Sequence, residues 1–144
     1  MNQEEAAVYR GKTPACMLVV EDDLWVRRMI VKWLERAGAR VQVAGDGVEA
    51  LRILEQDRVR PDVILLDVEM PHLDGLGLLT LIALQPELAA IPCVLMSGGD
   101  PAFAARARSL GAVDFLAKPF GPIALINKLT RCCPTAGFAG LQSA

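Results

Sequence analysis

Four separated apolar runs in this chain each stop at polar residues of a kind that handle metal ions or phosphate. Leu18-Val19-Val20 gives way to Glu21 and Asp22, residues 63–66 to Asp67, residues 93–96 to Ser97, and Asp114–Ala117 to Lys118. Three carboxylates, a hydroxyl and an ammonium have a common use if they meet. Crowded carboxylates repel one another and raise each other's pKa unless a cation sits among them. Oxygen donors of this kind suit Mg²⁺, which binds at about 2.0–2.1 Å and keeps several waters. The lysine and the serine would then hold the oxygens of a phosphoryl group. Taken singly, each residue has a plainer use. Asp67 could cap a helix or shape a turn, and Glu21-Asp22-Asp23 could be a capping cluster, as Asp23 is read to be. Ser97 could be loop chemistry and Lys118 a surface charge. The joint placement favours a site.

These residues converge only if the runs lie side by side. Cys16–Val20, Arg40–Ala44, residues 63–66, residues 93–96 and Asp114–Ala117 read as five strands. Helical periodicity fills the gaps. One helix covers 24–37, with Val26, Ile30, Trp33 and Ala37 on one face and Gly38 as its stop. A second follows the Gly45-Asp46 turn, carries Val48, Leu51 and Leu54, and runs to about Gln56. Others cover 75–84, 101–110 (Phe103, Ala107 and Leu110 on one stripe, Gly111 closing) and 122–131. Strands alternating with helices imply βαβ units, and right-handed crossovers make the sheet parallel. The predicted class is α/β, a five-stranded parallel sheet with helices on both faces. In such sheets ligands bind at the carboxyl ends of the strands, which is where Glu21, Asp22, Asp67, Ser97 and Lys118 fall.

In its motifs the chain resembles the receiver domain of two-component response regulators, a flavodoxin-like fold. The matching residues are Leu18-Val19-Val20-Glu21-Asp22, Asp67-Val68-Glu69-Met70-Pro71 with Asp74-Gly75, Ser97-Gly98, and Lys118-Pro119-Phe120; Gly45-Asp46-Gly47 with Glu49-Ala50-Leu51 matches the start of the family's second helix. The resemblance covers roughly residues 15–131 and implies the strand order 2-1-3-4-5. It implies that Asp67 is a phosphoacceptor whose carboxylate attacks phosphorus in line. Asp22 would be a direct Mg²⁺ ligand, Glu21 its acidic partner acting through water, and the backbone carbonyl of Glu69 a further ligand. Ser97 and Lys118 would hold phosphoryl oxygens, and positioning with charge neutralisation would dominate the chemistry. Ser97 would move toward the phosphoryl group, with Phe115 as the aromatic that follows. Lys118-Pro119 would be cis. The departures are Glu in place of the commoner Asp at position 21, a Phe115 without a hydroxyl, and Glu69 and Gly99 at the two positions that tune hydrolysis of the acyl phosphate.

The implied partners are a sensor histidine kinase or phosphotransfer protein, and a downstream protein or a second copy, met through the face of the fourth and fifth helices around Phe115. The chain's own phosphoryl transfer and slow autodephosphorylation aside, no enzyme activity is expected. A degenerate receiver acting as a phosphorylation-independent interaction module is the alternative, against which the complete acid set, Ser97 and Lys118 argue. An aspartate-nucleophile phosphatase would want an Asp where Glu69 stands, and a flavin carrier a hydroxyl- and glycine-rich loop where the three acids stand. No pyrophosphate-binding glycine fingerprint follows a strand.

Composition narrows the choice further. With 144 residues, 53% of them hydrophobic, the chain can form one domain with a real core. A net charge of -2 speaks against direct nucleic-acid binding, although Arg27, Arg28, Lys32, Arg36 and Arg40 cluster; Glu35 interrupts them and the spacing reads as a solvated helix face. Apolar runs are far too short for a bilayer span. No secretory signal opens the chain, and the four cysteines lack metal spacing, so a reducing cytoplasm is expected. Cys16 and Cys93 are expected to be buried. Residues 1–14 and 132–144 are expected to be flexible, and the residues after Arg131 too few for a DNA-binding output domain. His72, without a partner at ligand spacing, is read as exposed and non-catalytic.

Overall fold

Five parallel strands form one sheet in the computed structural model, which describes residues 14–56, 60–70, 72–98, 100–134 and 137–138. The strands are β1 Cys16–Val20, β2 Arg40–Ala44, β3 Val63–Asp67, β4 Cys93–Ser97 and β5 Asp114–Ala117, in the order β2-β1-β3-β4-β5. The helices are α1 Leu24–Arg36, α2 Gly47–Gln56, α3 Gly75–Ala83, the short α4 Pro86–Ala89, α5 Pro101–Ser109 and α6 Pro122–Cys132. The fourth and fifth helices expected from the sequence are therefore α5 and α6.

Every residue of β3 and β4 is buried, which is why these strands are unbroken apolar runs: helices cover both faces of the sheet. Side chains alternate between two cores. Met17, Val19, Val63, Leu65, Val94 and Met96 pack with Ile30 and Leu34 of α1 and Leu125 and Leu129 of α6. Leu18, Val20, Ile64, Leu66 and Leu95 pack on the other face with Leu54, Leu78, Ile82 and Ala107. Helix starts are capped as their residue types allow. The Asp23 carboxylate accepts from the backbone N–H groups of Trp25 and Val26 (2.9 and 3.1 Å), and Asp74 accepts from Gly77 (2.7 Å). Gly38 (φ 89°) and Gly111 (φ 106°) take the left-handed conformation that ends α1 and α5.

Three findings differ from what the sequence predicts. β3 and β4 run one residue past their apolar patterns, because Asp67 and Ser97 are polar in side chain yet still in register with Met96 and Ala117. Helix α4 escapes detection because four residues are too few to show a 3.6-residue period. The segment 132–144, expected to be loose, is anchored at Gly137 and Phe138. Gly137 bridges to Pro14, its carbonyl accepting from Ala15 N–H at 3.1 Å, and Phe138 is buried in the α1/α6 core. A lone aromatic among small residues carries no periodic signal. Residues 1–13, 135–136 and 139–144 of the end segments lie outside the described residues. Cys93 is buried, which pushes its thiol up to about 12, whereas Cys16, at the start of β1, is only partly buried. Among the described residues, no helix is long and apolar enough to cross a membrane.

Candidate functional site

The C-terminal ends of β1, β3, β4 and β5 bring together residues far apart in the chain. Glu21 follows β1, and its N–H donates to Ala44 of β2 (3.0 Å), continuing the sheet by one bond. That bond turns the Glu21 side chain inward, where it is fully buried. Asp22, one residue on, is exposed. Asp67 ends β3 and is 6% exposed, and oxygens of Glu21, Asp22 and Asp67 lie within 4.8 Å of one another. Lys118 reaches in from the end of β5. Its Nζ stands 2.6 Å from Glu21 Oε1 and 3.3 Å from Asp67 Oδ2. Its backbone N–H donates to the Ser97 carbonyl (2.6 Å), tying the β4 and β5 ends together, and the peptide bond to Pro119 is cis. Ser97 is buried beside it.

Burial and crowding both act on Glu21. Burial and the hydrogen bond to Asp67 push Glu21 up to about 7, against the pull of Lys118. Lys118 is itself raised. Burial works against its charge, but the hydrogen bond to Glu21 and the nearby Asp67 carboxylate outweigh it. One ammonium is thus shared between Glu21 and Asp67, with Asp22 close by, and a divalent cation would supply the missing charge. The donors are all carboxylate oxygens, one of them on an exposed side chain, so the set fits a hard cation that keeps part of its hydration. An open cleft of about 420 Å³ adjoins the acids, with Asp22, Glu69 and Asp74 at its rim and Met70 and Phe103 among its lining.

A family model for the response regulator receiver domain matches residues 17–130. The chain belongs to that family. Its curated relatives include a protein-glutamate methylesterase/protein-glutamine glutaminase of Caulobacter vibrioides, 41% identical over 105 residues, with 72% of this chain and 30% of that protein covered. A probable transcriptional regulator of Guillardia theta is 35% identical over 112 residues, covering 77% and 42%. This receiver therefore spans less than half the length of the curated relatives it matches. Among solved structures, the chemotaxis protein CheY4 of Vibrio cholerae superposes with a TM-score of 0.78 at 31% identity, over 83% of this chain and 99% of that one. The receiver domain of a Pseudomonas aeruginosa sensor histidine kinase, described with a magnesium ion coordinated in its active-site cleft, gives 0.77 at 30%, over 85% and 99%. The receiver fold read from the sequence is thus found, with its strand order.

The structure gathers Glu21, Asp22, Asp67, Ser97 and Lys118 at one end of the sheet. Glu69 stands at the rim: its side chain is exposed and its N–H donates to Asp67 Oδ1 (3.3 Å). Phe115 is set back along β5, half-buried against the α2/α3/α5 core. Gly99 lies outside the described residues, and His72 is exposed with φ 65°. Two supporting roles escape a reading of the sequence. Arg27 donates to the Glu21 carbonyl (3.1 Å), one turn into α1, where it looks like any helix-face cation. Gly75 lets α3 start directly behind Asp67: a Cβ there would collide with the Asp67 carbonyl and lie 2.7 Å from Leu66 Cδ1. The signal for it is the Asp74-Gly75 pair itself.

Proposed function

We propose that this receiver accepts a phosphoryl group on Asp67 from a phosphohistidine of a sensor kinase or phosphotransfer protein, and that residues 15–131 are the unit that does so. The observation that carries the reading is the contact of one half-buried lysine with both Glu21 and Asp67 beside an exposed third acid. An Asp67 carboxylate oxygen forms a bond to phosphorus as the donor's N–P bond breaks. The electron pair of that bond returns to the imidazole nitrogen, which can take a proton from solvent. Lys118, already at the Asp67 carboxylate, and Ser97, at the adjoining strand end, hold the equatorial oxygens on which charge concentrates. Asp22, Asp67 and the Glu69 carbonyl would hold Mg²⁺, with Glu21 behind them acting through water. The ion supplies neutralising charge to an otherwise overcrowded set of anions. Occupation of Asp67 draws Ser97 inward, and Phe115 repacks behind it, altering the α5-β5-α6 face that meets a downstream protein or a second copy. With Phe rather than Tyr at 115, that change travels by packing alone. Free thiols at Cys93 and Cys132 accord with a cytoplasmic setting.

Intact-mass spectrometry of the chain after incubation with Mg²⁺ and acetyl phosphate, beside Asp67→Asn, tests this reading. The expected result is a gain of one phosphoryl group, abolished by EDTA and absent from the variant. A folded, Mg²⁺-binding chain that gains no mass from acetyl phosphate or from a phosphorylated donor protein would favour the phosphorylation-independent interaction module.

A further inference from the structure

Apart from Arg27, which holds the Glu21 carbonyl, the acidic site makes no use of the α1 face turned toward the β2 edge of the sheet. α1 carries Arg27, Arg28, Lys32 and Arg36 against one acid, Glu35, although the chain's net charge is -2. These cations, with Glu35 among them, line a groove of about 620 Å³ whose apolar lining comes from Leu24, Val31 and Val43. Leu24 and Val43 are 43% and 39% exposed, an apolar surface left open to water. Four-residue spacing sets Arg28, Lys32 and Arg36 in a row along the helix, with about 6 Å between successive members. The Arg28 guanidinium is steadied over the Trp25 ring, 5.7 Å from its centroid. No ion pair among the described residues engages Lys32 or Arg36.

We propose that this groove docks an acidic amphipathic helix of a partner protein. Carboxylates four residues apart on that helix match the Arg28-Lys32-Arg36 row, and the apolar side chains beside them cover Leu24, Val31 and Val43. The groove favours such a helix over a nucleic acid for two reasons. Its apolar lining offers nothing to a phosphate backbone, and the chain's net charge of -2 disfavours a polyanion. A second copy does not fit either. Among the described helices of this chain, none carries acids at four-residue spacing. Because β2 contributes only Val43 to the lining, side-chain docking is favoured over strand addition.

The test is fluorescence anisotropy with the full chain and a labelled helical peptide of about 18 residues, five turns, bearing Glu at four-residue intervals and Leu on the adjoining stripe. Saturable binding is expected, weakening with salt. Arg28→Glu/Lys32→Glu/Arg36→Glu should weaken it by about tenfold or more, and Val43→Ser by about threefold. Arg27 stays unchanged because it holds the Glu21 carbonyl. Urea midpoints establish that the variants fold. Should the triple variant fail to fold, Lys32→Glu at its exposed mid-row position carries the test, with an expected loss of about threefold. Absence of saturable binding, or equal affinity in the charge-reversed chain, overturns the proposal. So does tighter binding of a single-stranded RNA or a DNA duplex than of the peptide by the native chain.

Discussion

Glu21→Gln is expected to stabilise the metal-free protein, increasingly so as pH rises. Glu21 is fully buried, and its carboxyl is held at about 7 in the folded chain against an ordinary 4.5. Between those values the folded chain keeps a proton that the unfolded chain releases, so the native protein loses stability as pH climbs from about 4.5 through 7. Every tenfold weakening of an acid by folding corresponds to about 1.4 kcal/mol, which puts the full loss at about 3 kcal/mol above pH 8. Gln cannot ionise, yet its carbonyl can still accept from Lys118 and its amide can donate to Asp67. The advantage of Gln over Glu should therefore be small at pH 5 and larger by about 2 kcal/mol at pH 8. Urea unfolding in EDTA at the two pH values measures it directly. Saturating Mg²⁺ should reverse the order, since each tenfold excess over Kd adds about 1.4 kcal/mol to the chain that binds it. A Gln-minus-Glu difference that is the same at pH 5 and pH 8 would refute the claim that crowding at Glu21 is what a cation relieves.

Gly75→Ala should cost about 1–3 kcal/mol, since its methyl collides with the Asp67 carbonyl and meets Leu66; because the collision displaces Asp67, Mg²⁺ affinity measured by calorimetry should fall with the urea midpoint. Phe138→Ala should cost about 3 kcal/mol, as for a core aromatic, and an unchanged melting temperature would mean that Phe138 does not pack there in solution. Asp23→Ala should cost about 1 kcal/mol through loss of the α1 cap, and Asp23→Ser should recover most of it.

Strand positions and the membership of the site were legible because one physical rule governs both. Strands buried on two faces must be apolar, so the first polar residue after each run announces the sheet's open end, and Glu21, Asp67, Ser97 and Lys118 were found that way. The pairing inside the site was not legible. Nothing in Glu21 alone says that it is fully buried, or that Lys118 rather than Arg27 brings an ammonium to it; that depends on side-chain reach across the strand ends. Gly137 and Phe138 were invisible for a related reason. Their contact with Pro14 and the first core is made by three-dimensional proximity at the foot of β1, and no local period records it. α5 was legible in extent but weak in pattern, because its Ala-rich sequence leaves only Phe103, Ala107 and Leu110 to mark the inner stripe.

The contact between Glu21 and Lys118 joins residues 97 positions apart, and this has a consequence for how the protein is made. At a synthesis rate of about 5–20 residues per second, roughly 5–20 s separate the emergence of the first acid from that of its cation. Through that interval a growing chain can hold β1, β2 and β3 yet lacks the charge that lets Glu21 be buried ionised. The acids must stay hydrated or protonated until β5 pairs with β4 and delivers Lys118. A working acidic site is thus acquired only after the fifth strand has joined the sheet, and it certifies that all five strands are in place.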